Sequence, residues 1–131
     1  MTSTEETEGS AVLQALAAGD HKALAEVLAA GGDVNDKDRW GVPALGLAAG
    51  RGDLEAMRLL LDHGGDPNLA SAVGNAPLMI AAARGQTEAV RALLAAGANP
   101  GTSNDWGLSA ADWARWAKDP IEMRALLAEA G

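Results

Sequence analysis

The stretch that decides the fold reads GNAPLMIAAARG and spans residues 74–85. A related stretch, GVPALGLAAGRG, lies 33 residues earlier at 41–52, and another, GLSAADWAR, lies 33 residues later at 107–115. A fixed period of this length indicates a solenoid of stacked supersecondary units. The stretch therefore predicts both the shape of one unit and the way in which the units join.

The register of this repeat holds over four units without an insertion in its columns. The clearest columns are Leu28, Leu61, Leu94 and Leu127; Ala15, Ala48, Ala81 and Ala114; and Leu24, Met57, Val90 and Met123. One helix pair cannot bury its apolar face alone, so neighbouring pairs must stack to complete a core. The alanines are expected where adjacent inner helices approach most closely.

Each unit is predicted to contain an inner helix and an outer helix. In the second unit we expect the inner helix at about 44–50 and the outer helix at about 54–63. The apolar residues Met57, Leu60 and Leu61 have the i, i+3, i+4 spacing of the buried face of an amphipathic helix. A glycine pair then ends the outer helix, because glycine readily takes the left-handed conformation of a helix cap.

The chain is predicted to hold one repeat domain preceded by a tail. Residues 1–9 are polar, carry three glutamates and no positively charged side chain, and are predicted to be disordered. Residues 10–131 have the length of a single domain. Its units are expected at about 10–36, 37–69, 70–102 and 103–131.

The charge of the chain narrows the classes of partner. The formal net charge is −8, whereas nucleic-acid binding usually needs a basic surface, so nucleic acid and anionic membranes are disfavoured. A basic protein or peptide is the partner that this charge favours, although an acidic surface also simply keeps a protein soluble. The sequence has no secretory signal and no apolar run of membrane-spanning length, which predicts a cytoplasmic protein. Seven arginines against three lysines, with abundant alanine and glycine, indicate a GC-rich bacterial genome.

The repeat resembles the ankyrin repeat, in which a turn and two antiparallel helices recur at this period. The family pattern is roughly G-x-T-P-L-H-x-A-A-x-x-G, followed by an amphipathic helix and L-L-x-x-G-A-D-x-N. The residues that match best are Gly74, Pro77, Leu78, Ala81, Ala82, Gly85, Glu88, Val90, Leu93, Leu94, Gly97 and Ala98. The resemblance covers about residues 10–131 and implies an all-α solenoid of four ankyrin-like units. It also implies a protein-interaction module whose concave surface is made of finger tips and inner helices.

Two positions of the family pattern are replaced throughout. The threonine is Ser10, Pro43, Ala76 and Ser109 here, and the histidine is Leu13, Gly46, Met79 and Asp112. In the family these two residues support hydrogen bonding between repeats. The last unit also has Arg115 in place of a packing alanine and Lys118 in place of a glycine, as expected of a terminal repeat that needs a polar outer face.

Catalytic and metal-binding residues are not predicted. His21 and His63 lie at the start of one outer helix and in the last turn of another, and neither has a nucleophile at a suggestive spacing. A cation near a helix C-terminus is favourable, which explains His63 structurally. Residues 33–38 resemble the opening of a calcium loop, but Ala44 occupies the position where a bidentate glutamate is needed. We therefore expect no enzyme activity, no metal and no cofactor.

Tryptophan is the more informative residue type. Trp40 and Trp106 share one column at the tips of the inter-repeat turns, with Val73 between them. Exposed aromatic residues on loops are candidate interface anchors, and the alternative is that each ring folds back and covers a neighbour. Trp113 is expected in the core or over the end of the stack. The predicted protein-binding residues are Arg39, Trp40, Val42, Arg51, Val73, Asn75, Arg84, Asp105, Trp106, Leu108 and Trp116.

The leading hypothesis is a monomeric protein-binding module that recognises another protein through the concave face and finger tips. A narrower version is a small inhibitor or immunity-type protein, as the size and acidity suggest. Two other classes remain open: a small-molecule-binding or enzymatic protein built on a repeat scaffold, and a structural protein that stacks its end units into a homodimer.

Overall fold

The computed structural model describes residues 10–117 and 119–130. Of Trp116 and Ala130 it describes the backbone only. The predicted tail at 1–9 lies outside the described residues. Eight α-helices and one 3-10 turn form the regular structure of the described residues, with two isolated β-bridges and no strand. The predicted all-α solenoid is thus confirmed. The helices are α1 (Ala11–Ala18), α2 (His21–Ala29), α3 (Ala44–Arg51), α4 (Leu54–Asp62), α5 (Pro77–Ala83), α6 (Thr87–Ala95), α7 (Ala110–Trp113) and α8 (Pro120–Ala130).

The outer helices α2 and α4 begin after aspartates that satisfy their first backbone N–H groups, whereas α6 follows Gln86 without such a side-chain bond. The carboxylate of Asp20 accepts a hydrogen bond from the Ala23 N–H at 3.0 Å, and that of Asp53 accepts one from the Ala56 N–H at 3.2 Å. These are N-cap bonds of the usual kind, worth about 1 kcal/mol each. The caps fix where α2 and α4 start and so fix the register of the outer layer.

The two helices of each unit belong to two layers of the solenoid. The inner helices α1, α3, α5 and α7 pack side by side, and so do the outer helices α2, α4, α6 and α8. Ala48, Ala81 and Ala114 are completely buried where inner helices meet. A larger side chain at these positions would push neighbouring inner helices apart, which is why the column contains alanine.

The outer-helix columns follow the prediction only in part. Leu24, Met57, Val90 and Met123 are buried as expected. Leu61 and Leu94, which we expected to be buried, are only half-buried. Leu61 instead helps to line an outer hollow of about 520 Å³ between α4 and α6. The period identifies which residues share a helix face, but the gap between neighbouring helices decides how deeply each is covered.

The fourth unit departs from the other three at the end of its inner helix. The first three units leave the inner helix through Gly19, Gly52 and Gly85, whose φ angles are 69°, 70° and 70°. In the fourth unit α7 has only four residues and continues as a 3-10 turn at Ala114–Trp116, after which Ala117 is extended. The residue in the glycine column is Lys118, which lies outside the described residues.

The replaced threonine and histidine positions of the fourth unit form a local bond instead. The Ser109 N–H and hydroxyl both donate to the Asp112 carboxylate, at 2.9 and 3.2 Å. These bonds, the backbone one above all, lower the pKa of Asp112. The pair is a capping box, which stabilises the start of α7 from within the unit.

Candidate functional site

Three tip turns project from the inner edge of the solenoid, at residues 38–42, 71–75 and 104–108. In the first, the Asp38 carboxylate accepts hydrogen bonds from the N–H groups of Trp40 and Val42, both at 2.9 Å. In the third, the Asn104 side-chain oxygen accepts the same two bonds, from Trp106 at 2.9 Å and Leu108 at 3.0 Å. In the first and third tip turns, one short polar side chain therefore fixes the backbone that carries the tryptophan.

The tryptophans of the first and third tip turns point into solvent. Trp40 is 68% exposed and Trp106 is 66% exposed, so neither ring folds back over its own turn. The guanidinium carbon of Arg39 lies 5.1 Å from the centre of the Trp40 ring, a cation–π distance. Val73 lies on the tip turn between them and is also exposed. The tips thus present a row of apolar side chains on ordered backbone.

Two adjoining hollows follow the inner helices below the tips and form what we call the groove. The first, of about 420 Å³, lies between α3 and α5, and the second, of about 160 Å³, lies between α5 and α7. They share Asn75, Ile80 and Arg84 as lining residues, so the two hollows lie side by side. The first is also lined by Val42, Gly46, Leu47, Gly50, Arg51 and Ser71, and the second by Met79, Ala83 and Trp113.

Glycine shapes the floor of the groove. A Cβ atom on Gly50 would lie 2.8 Å from the Ile80 Cγ2 atom, and one on Gly46 would lie 3.2 Å from the Ile80 Cδ1 atom. The absence of side chains on α3 lets Ile80 of α5 lie flat against that helix. The result is a shallow apolar floor rather than a deep enclosed pocket.

The two arginines of the groove are held differently. Arg51 donates from Nη1 to the Leu16 carbonyl of α1 at 2.8 Å, which ties it to the preceding unit. The Arg84 side chain has no hydrogen bond or ion pair with another described residue, and its guanidinium carbon would be 3.8 Å from a Cβ on Gly50. No acidic side chain from the described part of the chain lines either hollow. The groove therefore carries local positive charge within an acidic protein.

The structure places the predicted site residues in two groups. The groove is lined by Val42, Arg51, Asn75 and Arg84. The tips carry Arg39, Trp40, Val73, Asp105 and Trp106, all exposed, and Leu108, which is half-buried. The side chain of Trp116 lies outside the described residues. A single patch was predicted, and the structure resolves it into a row of tips above a groove; together we call them the tip-and-groove surface.

Sequence reasoning missed most of the groove floor. Leu47, Ile80 and Trp113 form one column that was not among the predicted binding residues, yet all three are half-buried and line the hollows. Trp113 does pack against the core as expected, but it also faces the second hollow. Each of these residues directly precedes an alanine of the buried column. Such neighbours lie about 100° apart on a helix, and this offset could have identified the column as partly exposed.

The two histidines have structural partners elsewhere. His21 Nε2 lies 2.8 Å from Asp53 Oδ1, and this hydrogen bond is the main cause that raises the pKa of His21. Burial raises the pKa of Asp53, but the bonds from His21 and from the Ala56 N–H outweigh it, so the net shift is downward. His63 does not lie in the last turn of α4 as predicted but just past its end, where its Nδ1 is 2.9 Å from the Leu59 carbonyl.

The described residues contain no group of three or more histidine, cysteine or carboxylate side chains placed to hold a metal ion. None of their helices combines the length and the apolar character needed to cross a membrane. The tip-and-groove surface is therefore the strongest candidate site among the described residues.

Comparison with known proteins agrees with the architecture. A family model described as Ankyrin repeats (3 copies) matches residues 12–104. No match to the chain was found among curated proteins. Because the family model covers more than half of the 131 residues, this chain belongs to the ankyrin repeat family, whose members are generally protein–protein interaction modules.

Proposed function

We propose that this protein binds a partner protein through the tip-and-groove surface, with Trp40 and Trp106 as its anchors. The observation that carries the proposal is the exposure of these two rings, 68% and 66%, on turns whose backbone is fixed by hydrogen bonds. A large aromatic side chain gains most from burial when its backbone is already ordered, since little entropy is lost on binding. Covering both rings would therefore contribute favourably to association.

The groove supplies the second half of the surface. Its floor of Leu47, Ile80 and Trp113 is apolar and only half-buried, and it runs directly below the tips. A partner that covers the rings would also cover this floor, so apolar contact would extend from the tips into the concave face. Interfaces typically combine a few aromatic anchors with such a surrounding contact area.

The mode of action that follows is recognition by a preformed scaffold. The inner helices pack on completely buried alanines, and each tip turn is closed by its own side-chain bonds. Little backbone rearrangement is needed before a partner binds. The inhibitor or immunity-type role stays a prediction from the size and acidity of the chain.

The test is affinity capture from host lysate followed by a titration of the purified partner. The variant carries Trp40→Ala and Trp106→Ala. The matched control carries Leu54→Ala and Ile121→Ala, which remove two large apolar side chains that are 45% and 83% exposed on the outer helices. Loss of two anchors should weaken binding by a factor of about ten or more, whereas the control should bind as the wild type does.

Two outcomes would contradict the proposal. One is unchanged affinity of the tryptophan variant for the purified partner. The other is an equal loss in the outer-helix control, which would place the interface on the other layer of the solenoid.

A further inference from the structure

We infer that the groove takes an acidic segment of the partner, a stretch in which a carboxylate side chain lies between apolar residues, with the carboxylate beside Arg84. This inference rests on the proposed function, because it names the chemistry of the chain that the concave face receives. It concerns the groove, whereas the anchors of the proposed function lie on the tips.

The charge of the groove differs in sign from the net charge of the whole chain. The whole chain carries −8, which by itself favours a basic partner. The charged side chains that line the groove among the described residues are Arg51 and Arg84, and no carboxylate lines it with them. At contact distance a partner meets the local charges, while the net charge acts only over longer distances that salt screens. Complementarity inside the groove therefore calls for negative charge.

The acidic residues that lie closest to other arginines are on the opposite layer. On α4, Arg58 is 3.4 Å from Glu55 and 3.6 Å from Asp62. On α6, Arg91 is 3.6 Å from Glu88 and 3.4 Å from Glu122 of α8. Arg58 and Arg91 thus have carboxylates within the protein, whereas the Arg84 side chain has none among the described residues. This difference leaves Arg84, within the groove, available to a carboxylate from outside.

The polar side chains of the groove have more free hydrogen-bond donors than free acceptors. The Asn75 side-chain oxygen accepts a bond from the Asn104 amide at 2.8 Å, which leaves its own NH₂ group as a donor. The Ser71 hydroxyl oxygen accepts a bond from the Asn75 N–H at 3.2 Å. Arg51 uses one of its five N–H groups on Leu16, and Arg84 uses none on a described residue. The side chains of the groove therefore offer donors, and a carboxylate is the side chain that only accepts.

Apolar residues flank Arg84 on both sides along the groove. Val42, Leu47 and Ile80 lie towards the first unit, and Met79 and Trp113 lie towards the last. A carboxylate at Arg84 would have its neighbouring residues over these apolar walls. Covering the walls also removes water from the arginine and strengthens a charge-assisted bond to it. The geometry thus favours an apolar–acidic–apolar order in the bound segment.

The test uses pools of short fluorescent peptides that differ only at their central residue. The centre is Asp or Glu in the first pool, Asn or Gln in the second and Lys or Arg in the third, always between apolar residues. We expect the acidic pool to bind the wild type about tenfold more tightly than the amide pool, and the cationic pool to bind most weakly. Amide NMR shifts should map the bound acidic peptides to Asn75, Ile80 and Arg84.

Two variants that change the net charge equally, one in the groove and one on the outer layer, distinguish a direct contact with Arg84 from a long-range electrostatic effect. Arg84→Gln should remove the preference for the acidic pool, and Arg84→Glu should reverse it in favour of the cationic pool. Arg58→Glu makes the same change in net charge on the outer layer and should leave the preference in place. Circular dichroism would verify that each variant keeps its helices.

The inference would be overturned by equal binding of the acidic and amide pools, by NMR shifts outside the groove, or by an effect of Arg58→Glu as large as that of Arg84→Glu. Its failure can be told from failure of the proposed function by the variant with Trp40→Ala and Trp106→Ala. That variant should lose the captured partner yet keep the preference for acidic peptides, because neither Trp40 nor Trp106 lines the groove.

Discussion

The first interface of the solenoid lies between its first and second units, and the third lies between its third and fourth units. The two share the same apolar stacking but differ in their polar contacts. Between the first two units, His21 contacts Asp53 and Arg51 donates to the Leu16 carbonyl, each at 2.8 Å. Between the last two units, the Asn104 amide donates to the Asn75 side-chain oxygen at 2.8 Å, and the Asp105 N–H donates to the Val73 carbonyl at 3.0 Å. The first set lies at helix ends and contains charges. The second lies at the tips and is neutral, and the exposed Arg91–Glu122 ion pair, at 3.4 Å, crosses the same interface between the outer helices.

This difference shows that the period controls packing and leaves the polar contacts free to vary. It also affects the two anchors. The turn of Trp106 is bonded to the tip turn beside it, whereas the described residues show no hydrogen bond between the turn of Trp40 and its neighbour. Trp106 is therefore the more firmly supported anchor, and the first interface contains the histidine–carboxylate pair that we expect to respond to pH.

The largest expected effect is that of Asn104→Ala. Asn104 is 7% exposed, and its side chain bonds the N–H groups of Trp106 and Leu108 as well as Asn75. Removal would leave these groups without partners, and we expect a loss of about 2–3 kcal/mol in the free energy of unfolding. Urea denaturation followed by circular dichroism would measure it.

The matched change in the first tip turn is Asp38→Ala. It removes two bonds to backbone groups but none to another unit, so about 1 kcal/mol is expected. Asp38→Asn should be nearly neutral because it keeps the accepting oxygen. Equal losses for Asn104→Ala and Asp38→Ala would show that the link to Asn75 adds nothing.

The next effect concerns the close approach of the second and third tip turns. Gly74 and Gly107 both have positive φ, 84° and 77°. A Cβ on Gly107 would meet nothing within 4 Å, so Gly107→Ala should cost only the strain of the left-handed backbone, about 1 kcal/mol. A Cβ on Gly74 would lie 3.2 Å from the Asn104 Cα atom and 3.3 Å from the Asp105 nitrogen. Gly74→Ala should therefore cost about 2 kcal/mol, because backbone must also move.

Denaturation midpoints of the two alanine variants would measure this difference directly. A Gly74→Ala variant as stable as Gly107→Ala would mean that the third tip turn yields easily. The idea of a firmly supported Trp106 would then be wrong.

Most of the fold could be predicted from the sequence because the repeat supplies many independent observations of one unit. The inner helix expected at about 44–50 is Ala44–Arg51, and the outer helix expected at about 54–63 is Leu54–Asp62. The short α7 was not predicted, since the columns show that Lys118 replaces a glycine but not how the chain then turns. Repetition thus predicts what the units share, and it is least informative where a unit differs.

The candidate site could be predicted only at its tips. Trp40 and Trp106 each precede a turn glycine, and a residue in that position has no helix to cover it. The groove depends on how far apart α3, α5 and α7 lie, and on Ile80 filling the space above Gly46 and Gly50. Such distances involve side chains from different units, and no column of the alignment contains them.

The smallest expected effect is the pH response of the first interface. Because Asp53 raises the pKa of His21 above 6.5, the stabilisation from protonated His21 is complete below about pH 6.5 and is lost as pH rises through the raised pKa. The pKa of Asp53 is lowered, so its contribution is present above about pH 3.8 and is lost as pH falls through the lowered value. The urea midpoint of the wild type should thus be slightly lower at about pH 8.5 than at about pH 5.5, and His21→Ala should abolish that difference, whereas His63→Ala should keep it. The neutral bonds of Asn104 have no such dependence, so a pH response that survives in the His21→Ala variant would mean that the first interface is not its source.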